Sequence, residues 1–208
     1  MNLATTIYTF DLLGVAVFAI TGALAAAERR MDILTFVLFG TLTGVGGGTL
    51  RDVLLHTDHI FWIVDTTYLW ACLAASIATW FLAHRFESRR QLLLWADAMG
   101  LALFSVLGTQ KALAWNAPVI VAIGMGMMTA SFGSLLRDTL IGRPPVILNP
   151  EIYGTAALLG ASSFVLLNAF SISAPVALPL SIAAAFLLRA AALLYDLRLP
   201  KYQQRSKS

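Results

Sequence analysis

The chain has 208 residues, of which 59% are apolar and only 12% charged, and its mean hydropathy is +0.79. Soluble domains carry roughly 25% charged residues, so this composition excludes a water-facing globular surface and makes lipid the expected solvent. The net charge of +3 does not mark a nucleic-acid partner, because the 14 basic residues sit in short clusters beside apolar stretches, as membrane-flanking charge does.

A membrane-spanning helix needs about 20 largely apolar residues, and seven stretches qualify. The first, 5–27, lacks a preceding basic segment and is interrupted by Asp11, so it reads as a retained helix and not as a cleaved signal peptide. The second, 33–56, carries Gly46, Gly47 and Gly48 followed by Arg51 and Asp52. The loop after it holds His56, Asp58 and His59, too few ligands for a metal site. The third, 67–84, contains the single cysteine, Cys72, which excludes an intrachain disulfide and reads as a small buried hydrophobe. The fourth, 92–115, has Asp97 near its start and Lys111 near its end. The fifth, 118–141, starts at Pro118 and carries Gly133, Ser134, Arg137 and Asp138. The sixth and seventh, 151–170 and 176–196, follow Pro150 and precede Leu199-Pro200, and both Pro118 and Pro150 suit the first turn of a helix. A polar tail runs from Lys201 to Ser208. Trp62, Trp70, Trp95 and Trp115 fall near span ends, where amphipathic rings prefer the interface. The fold class is therefore an all-α membrane protein of seven transmembrane helices.

Shifted by 86 residues the chain matches itself without a gap, with 17 identities between positions 11 and 76. Asp11, Gly14, Phe18 and Gly22 fall on Asp97, Gly100, Phe104 and Gly108. Gly40, Thr43, Gly47, Arg51 and Asp52 fall on Gly126, Thr129, Gly133, Arg137 and Asp138. Each copy holds three spans, so the second enters from the opposite face and the pair forms an inverted repeat. Residues 1–86 form the first unit, 87–172 the second, and 173–208 hold a seventh helix outside the symmetry, expected to pack the two copies or an oligomer.

Basic residues set the expected orientation. The side of the C-terminus holds Arg29 and Arg30, then Arg85, Arg89 and Arg90, then Arg143, then Arg198, Lys201, Arg205 and Lys207. The opposite side has Lys111 and at most Arg51. By the positive-inside rule the N-terminus is outside and the C-terminus cytoplasmic.

A run of three glycines within a span costs about 1 kcal/mol per residue relative to alanine. Two readings follow, and both can hold together: a kink whose freed carbonyls line a pore or site, and close packing through the small-residue ladder Gly40, Gly44, Gly48. The fifth span keeps only Gly133, between Phe132 and Ser134, so the halves differ. Arg51 lies about 28 Å along a straight helix from Asp32, at the interface unless a break draws it inward. Charges within a span face an interior or a cavity, so Arg51-Asp52 and Arg137-Asp138 read as polar linings of two mirrored vestibules or as structural ion pairs. Asp11 and Asp97 either cap helix ends through the macrodipole or face an arginine across the repeat interface. Lys111 aligns with Ala25 and reads as a gate that repels cations or as a snorkelling side chain. Gly44-x-Gly46 lies within an apolar span and not after a strand, so it is no nucleotide fingerprint, and no cofactor or catalytic constellation is present.

The segments GVGGGTLRDVLL at 44–55, FGSLLRDTLIGRPP at 132–145 and EIYGTAALLGA at 151–161 resemble the bacterial branch of the TRIC (trimeric intracellular cation) channel family. Sequences of this family also carry a glycine-transporter label. The resemblance covers roughly 5–196 and implies a homotrimer in the inner membrane with a pore in each subunit, passing potassium or sodium. It places helix kinks at Gly46, Gly47 and Gly48 and at Gly133, with Arg51, Asp52, Arg137 and Asp138 beside the pore. A carrier for glycine or another small zwitterion is the alternative, its carboxylate held by half-helix amino ends and its ammonium by an aspartate. Enzymatic activity has no support in the residues.

Overall fold

The structure, a computed structural model, describes residues 3–85 and 89–200. The 86/87 boundary between repeats and the tail from Lys201 lie outside these residues. Eight α-helices follow in order: α1 Leu3–Glu28, α2 Ile33–Leu54, α3 Phe61–Val64, α4 Thr67–Leu82, α5 Arg89–Ala114, α6 Val119–Leu140, α7 Gly154–Ala169 and α8 Ala174–Tyr195. Six are long and apolar enough to cross a membrane. The remaining span, α7, has 16 residues, about 24 Å of helix, and the four-residue α3 is an addition within a predicted loop. Pro150 stands in the loop before α7 and not in its first turn, whereas Pro118 caps α6. The last helix ends at Tyr195, before Leu199-Pro200, because Asp196 turns left-handed with φ of 49°.

The inverted repeat is written in the backbone. Helix α1 packs on α2 and α4, and α5 packs in the same way on α6 and α7, with the halves joined through α1–α5 and α2–α6. Helix ends are also equivalent. Arg30 and Asn116 both adopt positive φ after α1 and α5, as do His56 and Gly142 after α2 and α6. The latter two ends share a bond from the next amide back into the helix, Thr57 to the Asp52 carbonyl and Arg143 to the Asp138 carbonyl. Helix α2 starts from an Asp32 cap, whose carboxylate takes the Thr35 amide at 2.9 Å. Bonds from the Thr35 amide and hydroxyl hold that carboxyl below the usual carboxylate range.

Two reciprocal contacts join the halves. Gly14 lies against the Phe104 ring and Gly100 against Phe18. Gly47 lies so close to the Thr129 carbonyl that an added Cβ would sit 2.0 Å from its oxygen, and at Gly133 the Thr43 carbonyl oxygen would be 2.3 Å away. Helices α2 and α6 stay helical through Gly46–Gly48 and Gly133, so neither glycine site interrupts its helix. The glycines serve close packing. Backbone–backbone apposition of two helices in lipid is the arrangement small residues permit.

Polarity is inverted relative to a soluble protein. Arg51, Arg137 and Arg189 are among the largest fully buried side chains, while Leu34 and Ile120 are each 76% exposed. Apolar side chains therefore face lipid and charges face the interior, as insertion energetics demand. Trp70, Trp95 and Trp115 remain exposed near helix ends, consistent with interfacial anchors. Trp62 instead donates to the Thr49 hydroxyl at 2.9 Å. Helix α8 packs on α7 and α5, and touches α1 only marginally.

Candidate functional site: two mirrored charge clusters

The first cluster lies toward the face that carries the start of α1 and the end of α2. Asp52, near the end of α2, accepts the Arg51 Nε at 2.8 Å through Oδ1 and the Phe61 amide at 3.0 Å through Oδ2. The carboxylate thus closes the loop from α2 into α3 and fixes the adjacent guanidinium. Lys111 reaches it from α5, across the repeat interface, with Nζ 2.9 Å from Oδ1 and 3.0 Å from Oδ2. Arg51 and Lys111 both stand over the Phe61 ring, 5.7 and 5.6 Å from its centroid, a cation–π geometry. Asp11 on α1 takes the Tyr68 hydroxyl at 3.0 Å. Between these groups lies a cavity of about 370 Å³ lined by Asp11, Arg51, Lys111, Tyr8, Tyr68 and Gln110 among others. Its mouth is framed by Tyr8, which donates to Asp65 at 2.9 Å.

The second cluster lies toward the opposite face, at the end of α6 and the start of α5 and α7. Arg137 binds Asp138 through Nε at 2.9 Å and Asp97 through Nη1 at 2.7 Å. Asp138 also accepts the Val146 amide at 3.4 Å, the counterpart of the bond from Asp52 to Phe61. The Tyr153 hydroxyl pairs with Ser134 at 2.8 Å. Arg189 of α8 stands 5.1 Å from the Tyr153 ring centroid and binds Glu151 at 2.8 Å and the Ile152 carbonyl at 3.2 Å. A cavity of about 330 Å³ adjoins the cluster, lined by Glu28, Arg90, Arg137, Asp138, Arg143, Glu151 and apolar neighbours. Glu28 and Arg143 form an ion pair that ties α1 to the segment after α6.

Asp11 and Asp97 are each the ninth residue of their helix, too far in to cap it. They do not face an arginine across the repeat interface either, since Asp97 meets Arg137 within the second repeat. Lys111 is one of the charges that cross the repeats, as Glu28 and Arg143 also do, and its contact with Asp52 makes it a bridge and not an outward-snorkelling side chain. Of the glycines singled out in the sequence, Gly46 and Gly48 abut Leu136 and Phe61, while Gly47 and Gly133 form the α2–α6 crossing between the two cavities. Ser134 joins the second cluster through Tyr153.

Tyr68, Tyr153, Glu28 and Glu151 belong to these clusters without having been read from the sequence. The two tyrosines occupy matching places before or within the third helix of each repeat, yet Tyr68 aligns with Gly154, one position away from Tyr153. An ungapped alignment hides that pair. Among the described residues, no group of three or more His, Cys, Asp or Glu is placed to hold a metal ion.

The sequence model of the glycine-transporter family matches residues 8–84 and 94–169, once for each repeat. The UPF0126 inner membrane protein YadS of Escherichia coli K12 is 36% identical over 204 residues, covering 94% of this chain and 96% of that one. A UPF0126 membrane protein of Vibrio cholerae is 34% identical, covering 94% and 82%. The solved structure of a TRIC trimeric intracellular cation channel orthologue from Rhodobacter sphaeroides superposes with a TM-score of 0.90 at 50% identity, covering 93% of this chain and all of that one. A second TRIC cation channel structure superposes with a TM-score of 0.85 at 31% identity, covering 95% and 98%. A multi-pass membrane protein built from two inverted three-helix repeats, each matched by the same family model, this chain belongs to the bacterial TRIC family.

Proposed function

We propose that the chain is a monovalent cation channel that passes potassium or sodium through a pore within each subunit of a homotrimer. The observation that carries this reading is the pair of charged cavities, one toward each face, separated by the α2–α6 crossing at Gly47 and Gly133. The likeness to solved TRIC cation channels supports it. Ions entering at the first cavity meet Asp11, whose field favours a cation, and the Thr43 and Thr129 hydroxyls near the crossing offer oxygen ligands. Arg51 and Lys111 oppose that entry, and Asp52 neutralises them in part. A separation of α2 from α6 would join the cavities. The positive-inside rule supports a second cavity that opens to the cytoplasm and a first that opens outside.

Purified protein in planar bilayers tests this. Unitary potassium currents of millions of ions per second are expected, and no carrier cycle reaches that rate. Saturable glycine uptake without unitary currents would overturn the channel in favour of a carrier.

A further inference from the structure

Among the differences between the two repeats, one concerns the equivalent arginines. Arg137 bridges two carboxylates, Asp138 on its own helix and Asp97 on the neighbouring one. Its equivalent, Arg51, is bonded to Asp52 alone, and no ion pair joins it to Asp11, although both line one cavity. The remaining geometry is shared: the backbone turns after α2 and α6, the loop-closing bonds of Asp52 and Asp138, and the reciprocal glycine contacts. Equivalent residues on equivalent backbones have equivalent positions within reach, so the bridge seen in one half is sterically open to the other.

We propose that Arg51 alternates between two seats, Asp52 as seen here and Asp11 as Arg137 occupies Asp97, and that reaching Asp11 closes the first cavity. The inference deepens the channel reading and rests on it for its consequence, a gate on one face. Three groups bear on the balance. Lys111 occupies Asp52 through both oxygens, so it competes with Arg51 for its present seat and repels it toward Asp11. Tyr68 holds one oxygen of Asp11, which weakens the second seat by supplying a rival donor. Phe61 lies beneath both cations in the present arrangement and favours it. The second cluster lacks a lysine like Lys111, because Ala25 on α1 is its counterpart, and its arginine is already bridged. The cavity around Asp11 is thus the half with a moving part.

The test reads cavity access independently of current. Ile7 lines the cavity, and Cys72 is fully buried, so Ile7→Cys in the full-length protein supplies one reactive thiol for a neutral, water-soluble thiosulfonate. Tyr68→Phe removes a single oxygen and frees Asp11. It is expected to slow labelling by at least about tenfold, the weight of one hydrogen bond to a carboxylate, and to lengthen closed intervals in unitary records. Asp11→Asn removes the second seat, so labelling quickens and those closures vanish, while Asp11→Glu restores them. Unchanged labelling in both Tyr68→Phe and Asp11→Asn would overturn the proposal, as would a shift of the two in the same direction. Shifts in labelling as expected from a protein without unitary currents would uphold the two seats and sink the channel reading. Currents without those shifts would do the reverse.

Discussion

Replacing Gly47 by alanine separates the packing role of the glycine run from a role in bending α2. An added Cβ would lie 2.0 Å from the Thr129 carbonyl oxygen, about 1.4 Å short of ordinary contact. The obstacle is backbone on a continuous helix, so no rotamer change relieves it and α2 must move away from α6. Overpacking of this kind costs about 1–3 kcal/mol, against a helix-propensity gain of about 1 kcal/mol for losing a glycine. A purely conformational glycine would show only the gain. The packing reading therefore predicts net loss, about 2 kcal/mol at its upper range, which lowers the unfolding midpoint in detergent by about 4–8 °C. Gly124→Ala is the control, because nothing lies within 4 Å of its Cβ, and it leaves the midpoint unchanged or raises it. A Gly47→Ala protein that melts at or above the unsubstituted midpoint would refute the reasoning and return the glycine to a bending role.

Arg137→Ala leaves Asp97 and Asp138 buried without their shared cation and should cost about 3–5 kcal/mol; a loss below 1 kcal/mol in calibrated unfolding would mean that water already solvates the pair. His56→Gly replaces a left-handed residue, φ 50°, by the residue its repeat partner Gly142 already is. A gain of about 1 kcal/mol is expected, and a lower midpoint would show that the His56 side chain matters more than its backbone. Arg189→Met keeps the bulk but removes the contacts with Glu151 and Ile152. Unitary closed times should change while the oligomer, read by crosslinking, persists, and unchanged currents would confine Arg189 to holding α8.

The repeat was legible because its landmarks are rare residue types in one register: an aspartate, spaced glycines and an arginine-aspartate pair recur at a spacing of 86 residues. Those landmarks also located both clusters. The packing partner of the glycine triplet was not legible because propensity speaks only of the isolated helix, whereas the nearness of the Thr129 carbonyl is a tertiary fact. The Asp97–Arg137 bond lies within a repeat, since three helices of one unit already enclose a site. Tyr68 and Tyr153 were hidden by a one-residue slip, which a helix start tolerates because the side chain, and not the register, must reach the aspartate. Glu28, Glu151 and Arg143 pair across loops, where no periodicity announces a partner.

The seventh helix, unexplained by symmetry, accounts for the inequality of the two clusters. It does not pack both copies equally, because its contacts run to α5 and α7 of the second. From there Arg189 binds Glu151 and stands against Tyr153, which reaches Ser134 beside Arg137. The segment beyond the helix adds a further tie, the Leu199 amide to the Pro150 carbonyl at 2.7 Å. Each bond restrains the loop that carries Tyr153, so the bridged second cluster is braced from outside the repeat. Among the described residues no helix outside the first repeat braces Tyr68 in this way, and Lys111 instead crowds the arginine's carboxylate. One added helix and one substituted lysine thus turn two copies of the same three-helix unit into a braced half and a half free to switch.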